Sequence, residues 1–178
     1  MALTLLPPTV SSPADPDSEI RAIEPLRPDA LAVIAAGLAR AARPEPSAWR
    51  RNGDRRFTRL LWTPRYEAWL IEWSPSSGLD LHDHGGSVGS LHVAEGALVE
   101  TYTDRVARQP VRSRRLSAGE GFAVPPTRVH EVSNEGPDLA LSVHVYSPPL
   151  EKMTFYDHRP ASFLDVLHTA SGSDVAGH

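Results

Sequence analysis

His82 and His84, in the stretch Gly78-Leu-Asp-Leu-His82-Asp-His84, are the first residues of this chain whose types and spacing suit chemistry. Side chains at i and i+2 of a strand share a face, so both imidazoles can be presented to one point. Imidazoles converging on a point make a transition-metal site; two polar side chains on a solvated face are the competing reading. Asp83 must face the other way and cannot join the same site. His130 is the best candidate for a third ligand, because it lies in a strand just after the Pro125-Pro126 turn and can meet the pair across a barrel. The glutamate that commonly completes such sites would stand four or five residues after the second histidine, where this chain has Val88 and Gly89. Neither binds a metal through its side chain, so the inferred set is three neutral imidazoles. On Fe(II) that set leaves open coordination positions and keeps the full dipositive charge, which favours an anionic chelating substrate with dioxygen. Zinc held by three histidines and a water is the inorganic competitor.

A second constellation is Leu141-Ser142-Val143-His144-Val145-Tyr146. It alternates strictly, placing Ser142, His144 and Tyr146 on one strand face and Leu141, Val143 and Val145 on the other. If the apolar face packs outward against a helix or a second sheet, the polar row faces inward. Buried polar groups must be hydrogen-bonded, which makes a Ser–His–Tyr relay the natural arrangement. The alternative is a strand with its polar side in solvent. No acid orients the histidine, so this is not a hydrolase triad.

The elements that must position these residues follow from the local patterns. Residues 1–18 read as a poorly ordered arm, rich in Pro, Ser and Asp from residue 7. Residues 19–50 read as helical, with a short turn over 18–23 and a main helix over 29–42, in which Asp29 can cap and Leu31, Ile34, Ala35 and Leu38 form an apolar stripe. Pro44 and Pro46 end it. Residues 55–157 read as eight to ten short strands separated by turns, among them a hairpin turn at Glu95-Gly96. Residues 158–178 form a tail with a short helix over 162–168. No helices alternate with strands in the β region, so the expected fold is all-β, a jelly-roll barrel in a single domain over 1–178.

Composition narrows the function. With 18 Lys+Arg against 22 Asp+Glu the chain is mildly acidic, and no nucleic-acid partner is implied. The absence of cysteine excludes disulfides, thiolate ligands and a cysteine nucleophile. The N-terminal apolar run has no cationic region before it and reads poorly as a signal peptide. No stretch reaches the roughly eighteen apolar residues of a membrane helix, so a cytoplasmic protein is the expectation, and the acidic balance with a compact barrel leads to the expectation of a monomer. The 17 prolines in 178 residues are about twice ordinary usage and favour short elements with ordered turns. His92, His158, His168 and His178 have no supporting context as ligands, and Trp49, Trp62, Trp69 and Trp73 read as core or barrel-end packing.

Gly78-x3-His82-Asp-His84-x4-Gly89-x5-Glu95-Gly96, Gly121-x3-Pro125-x4-His130-x3-Asn134 and Ser142-Val-His144-Val-Tyr146-Ser-Pro-Pro149 together resemble the cysteine dioxygenase family of cupins. The similarity runs from about residue 55 to 156. It implies a cupin barrel in which His82, His84 and His130 bind non-haem Fe(2+), and Ser142, His144 and Tyr146 form a relay with the phenol close to substrate and oxygen. It also implies that Arg59 pairs with a substrate carboxylate, bidentately as a guanidinium fork suits, and that Ser147-Pro148 is cis. The implied activity is oxidation of L-cysteine by O2 to cysteine sulfinic acid. Relatives that prefer 3-mercaptopropionate commonly carry glutamine at the Arg59 position. Alternatives are dioxygenation of 3-mercaptopropionate or another small thiol, and a non-catalytic metal-binding sensor. Two departures stand out. Gly89 occupies the position where animal members have a cysteine cross-linked to the tyrosine, so Tyr146 must act as a free phenol. Phe57 replaces a tyrosine that contributes to substrate binding, removing a hydrogen bond worth about 0.5–1.5 kcal/mol.

Overall fold

The computed structural model describes residues 24–42, 48, 50–104, 106, 110–157 and 166–171. One helix, α1 (Pro28–Ala41), precedes twelve strands. In order these are β1 (Arg50–Asn52), β2 (Arg55–Trp62), β3 (Glu67–Trp73), β4 (Gly78–Asp83), β5 (Val88–Glu95) and β6 (Ala97–Asp104). They continue as β7 (Arg112–Ser117), β8 (Gly121–Val124), β9 (Arg128–Ser133), β10 (Ala140–Ser147), β11 (Lys152–Tyr156) and β12 (Val166–Ser171). Two six-stranded antiparallel sheets face each other, in the orders β1-β2-β3-β10-β5-β8 and β12-β11-β4-β9-β6-β7. This is the jelly-roll barrel that the strand spacing led to.

Period-two alternation separates the two faces of the first sheet. Phe57, Ile71, Trp73, Leu91, Val93 and Phe122 fill the barrel interior with Leu98, Leu116 and Val132 from the second sheet. Ala68, Leu70, Val143 and Val145 form the outer face and bury Leu31 and Ala35 of α1 beneath them. The stripe expected on α1 therefore packs as its spacing requires, with Ile34 and Leu38 at its margins. The helix starts one residue before the expected position, and Arg27 rather than Asp29 is the N-cap, without a side-chain cap bond. Pro28 is the reason: its fixed φ suits the first helical turn and it has no N–H to cap. Asp29 sits in that first turn instead, its Oδ1 accepting from the amide of Ala30. The arm, the turn over 18–23, Pro44 and Pro46 lie outside the described residues.

Three local expectations need correction. Arg50, placed at the end of the helical segment, opens β1, which with the unassigned residues 51–52 pairs with β2 through Asn52↔Arg55. Gly53 turns the chain there with φ 56°, a conformation open to glycine at low cost. Residues 166–168, expected to be helical, belong to β12, which runs antiparallel to β11; residues 162–165 lie outside the described set. The β11 edge would otherwise carry unpaired backbone donors and acceptors, and pairing them outweighs a local amphipathic pattern. Finally, the Glu95-Gly96 turn joins no hairpin, since β5 and β6 lie in different sheets. It is the corner at which the chain crosses between sheets. Gly96 has φ 72°, and a Cβ there would meet the carbonyl oxygen of Leu139 at 2.8 Å.

Candidate metal centre

β4 and β9 lie side by side in the second sheet, and His82 stands directly opposite His130 in their register. A register shift between Leu79 and His82 produces that alignment; such bulges re-aim side chains near functional sites. His84 follows two residues later, so it shares the face of His82. The three rings pack at centroid distances of 5.0, 4.7 and 5.0 Å. One ligand nitrogen from each lies within 4.8 Å of the others. All three side chains are buried. Burial, with the neighbouring His130 charge, holds His82 and His84 well below the ordinary imidazole range, so they are neutral donors.

The hydrogen bonds fix which nitrogens face the cluster. His82 Nδ1–H donates to the carbonyl of Asp80 at 2.7 Å, and His130 Nδ1–H donates to Glu100 Oε1 at 2.7 Å. Nε2 of each therefore carries the lone pair. His130 Nε2 and both nitrogens of His84 are buried without a hydrogen-bond partner. Unpartnered buried nitrogens cost stability unless something binds them, and three neutral imidazoles aimed at one spot fit a divalent transition metal. The donor set thus implies a bound metal ion. Asp83 faces away, as expected from its odd position: its carboxylate accepts from Tyr156 Oη at 2.6 Å and from the amide of Gly85 at 2.9 Å.

Across the barrel, β10 pairs with β3 on one side and β5 on the other. Its inward row forms the expected relay. Trp73 Nε1–H donates to Ser142 Oγ at 2.8 Å, Ser142 meets His144 Nε2 at 2.9 Å, and His144 Nδ1 meets Tyr146 Oη at 3.1 Å. Indole N–H is a donor only, which sets a polarity. Ser142 accepts from Trp73, so its own proton goes to His144 Nε2, and His144 Nδ1–H donates to the phenol oxygen. The opposite polarity would strand the proton of a fully buried serine. Burial lowers the His144 pKa to about 3, with the charges of His130 and Arg55 adding to it. Burial and then the Glu67 charge raise that of Tyr146 against the opposing effect of Arg55. The phenol stays protonated, with its O–H left over for whatever occupies the centre; its ring lies 4.8 Å from that of His84.

β2 supplies the other inward residues. Phe57 is buried, its ring 6.1 Å from that of Trp69. Arg59 lies 5.4 Å over the Trp69 ring, pairs with Glu67 at 3.8 Å, and leaves its side chain 51% exposed. Gly89 lies opposite Tyr146 in the β5–β10 register, and a Cβ there would sit 3.1 Å from the phenol ring. The backbone thus places residue 89 against the ring. Ser147–Pro148 is cis.

Three participants escaped the sequence reading. Trp73, expected only to pack, anchors the relay. Arg55 is buried on the inward face of β2, 5.5 Å over the Trp73 ring. Burial lowers its pKa to about 10 while Asp80 and Tyr146 oppose that effect. Glu100 is fully buried beside His130. The alternation of β2 and β6 places Arg55 and Glu100 on inward faces, but a charged residue on an alternating strand usually marks the solvated side. His92 lies outside the cluster, half-buried and near Arg40 of α1. Trp62, expected to pack, is 55% exposed.

The pattern of cysteine dioxygenase type I matches residues 13–159. The chain belongs to the cysteine dioxygenase type I family. Among its curated relatives, cysteine dioxygenase type 1 of Danio rerio is 28% identical over 64% of this chain and 62% of the relative. The Rattus norvegicus protein of the same name is 27% identical over 58% of this chain and 57% of the relative. The chain thus spans about three fifths of these relatives' lengths. Among solved structures, a recombinant oxalate oxidase in complex with glycolate is 19% identical with a TM-score of 0.52, over 66% of this chain and 67% of that one. CapF, solved with an inhibitor, has a TM-score of 0.52 at 18% identity, over 66% of this chain and 34% of that one. These establish the cupin jelly-roll fold for this family member. No helix among its described residues is long and apolar enough to cross a membrane.

Proposed function

We propose that this family member is a thiol dioxygenase that oxidises L-cysteine with O2 to cysteine sulfinic acid at Fe(II). The observation that supports it most is the pairing of two features across one barrel interior: His nitrogens with no partner, and a relay that ends in a free phenol O–H. His82, His84 and His130 would hold ferrous iron, which when bound would supply open coordination positions, lower the pKa of a substrate thiol and activate dioxygen.

The protein's own groups do the rest. Arg59 takes the substrate carboxylate, exchanging its long contact with Glu67 for a bidentate pair. Tyr146 donates its hydroxyl proton as a hydrogen bond to substrate or oxygen, stabilising charge where it develops. His144, Ser142 and Trp73 hold that phenol in place, and the relay polarity keeps its proton pointing away from His144. A tyrosine hydroxyl at position 57 would add a donor for the carboxylate. With that hydroxyl missing, a second reading is dioxygenation of 3-mercaptopropionate or another small thiol. A non-catalytic metal sensor is the third.

Oxygen uptake by Fe(II)-loaded protein, measured against a panel of thiols, tests all three. Stoichiometric consumption with L-cysteine and sulfinate as product supports the proposal. A faster rate with 3-mercaptopropionate selects the second reading. Tightly bound zinc with no iron-dependent uptake would overturn enzymatic function.

A further inference from the structure

The metal ligands carry no negative charge, yet a carboxylate stands one hydrogen bond away from them. Glu100 on β6 is fully buried. Its two oxygens are divided between two tasks. Oε1 accepts from His130 Nδ1 at 2.7 Å and lies 3.5 Å from Arg128 Nη1. Oε2 accepts a hydrogen bond from Arg114 Nε at 2.6 Å and forms an ion pair with its Nη2 at 2.5 Å. Sheet register explains the convergence: β6 lies between β7 and β9, with Glu100 opposite Arg114 on one side and Tyr102 opposite His130 on the other. The arginines are themselves held, Arg114 over Phe122 at 3.8 Å and Arg128 over Tyr102 at 4.1 Å. The other two imidazoles lack such a partner. His82 donates to a neutral carbonyl, and His84 Nδ1 meets nothing.

On the reading that these histidines bind a metal, we propose that Glu100 is a positioning residue that makes His130 the strongest donor of the three. Its carboxylate fixes the Nδ1–H tautomer, locks the ring plane, and places anionic charge behind the imidazole, raising the basicity of Nε2. Arg114 clamps the carboxylate by its far oxygen, so Glu100 stays behind His130 and does not swing forward to ligate the metal itself. The site thereby keeps all its open positions while regaining part of the negative charge that a carboxylate ligand would have supplied.

The test is a Co(II) titration of metal-free full-length protein, followed by its visible absorption bands, with the melting temperature of each metal-free variant as the folding control. Glu100→Gln keeps the shape and an acceptor but removes the charge. Glu100→Gln/Arg114→Gln removes the charge without leaving Arg114 uncompensated. Both are expected to bind Co(II) about 10–100-fold more weakly than the parent and to shift its absorption bands, and Glu100→Asp to recover part of the affinity. Affinity within twofold of the parent, with unshifted bands, in a folded Gln variant overturns the proposal. So does failure of both Gln variants to fold where Glu100→Asp folds, since Glu100 would then serve the fold. A parent protein that binds neither Co(II) nor Fe(II) would instead defeat the metal-site reading itself, which separates the two failures.

Discussion

Arg59 shows how much a single side chain's surroundings decide. Its guanidinium lies over Trp69, half in solvent, with Glu67 at the long distance of 3.8 Å. A contact that long leaves the fork unsatisfied, so an incoming carboxylate can claim it at the loss of little. A charge-assisted bond of this kind contributes about 1.5–3 kcal/mol. Arg59→Gln is therefore expected to lower kcat/KM for L-cysteine by roughly 10–100-fold. The same change should hurt 3-mercaptopropionate less. Steady-state oxygen uptake with both thiols checks this, and an unchanged ratio would remove the carboxylate role from Arg59. Arg55, two registers away and buried beside Trp73, is then the residue to substitute next.

At the level of elements, the centre depends on strands held in fixed register. α1 packs on the outer face of the first sheet over β5 and β10, and so stands directly behind the relay. Leu31 and Ala35 are wholly buried there against Ala68, Leu70, Val143 and Val145. Leu31→Ala opens a cavity against a sheet that cannot collapse into it, at a cost of about 2–5 kcal/mol. The melting temperature should fall by roughly 5–15 °C, given 2–4 °C per kcal/mol for a chain of this size. A drop below about 2 °C would mean that α1 contributes little to the barrel.

The whole molecule responds to pH through its buried imidazoles. His144 is held near a pKa of about 3 against an ordinary value of 6.5, chiefly by burial. The unfolded chain therefore binds a proton there that the folded chain refuses. Its contribution to stability is complete above about 6.5 and is lost as pH falls toward 3. Thermal melts of metal-free protein between those limits should show a steady loss of stability on acidification. A flat profile would show that His144 is not buried as a neutral ring.

The sequence by itself determined the barrel, the pair at His82 and His84, the choice of His130 and the alternating row Ser142, His144, Tyr146. Each of these follows from strand periodicity within a short stretch, or from motif spacing, and neither needs sheet order. Only the tertiary structure decided which distant strands are neighbours. The β6–β9 and β6–β7 pairings bring Glu100 to His130 and Arg114. The β3–β10 pairing brings Trp73 to Ser142. An edge of β11, rather than local helical pattern, makes a strand of residues 166–171. Hydrogen-bond partners at such separations are set by sheet topology, and local residue pattern carries no information about it.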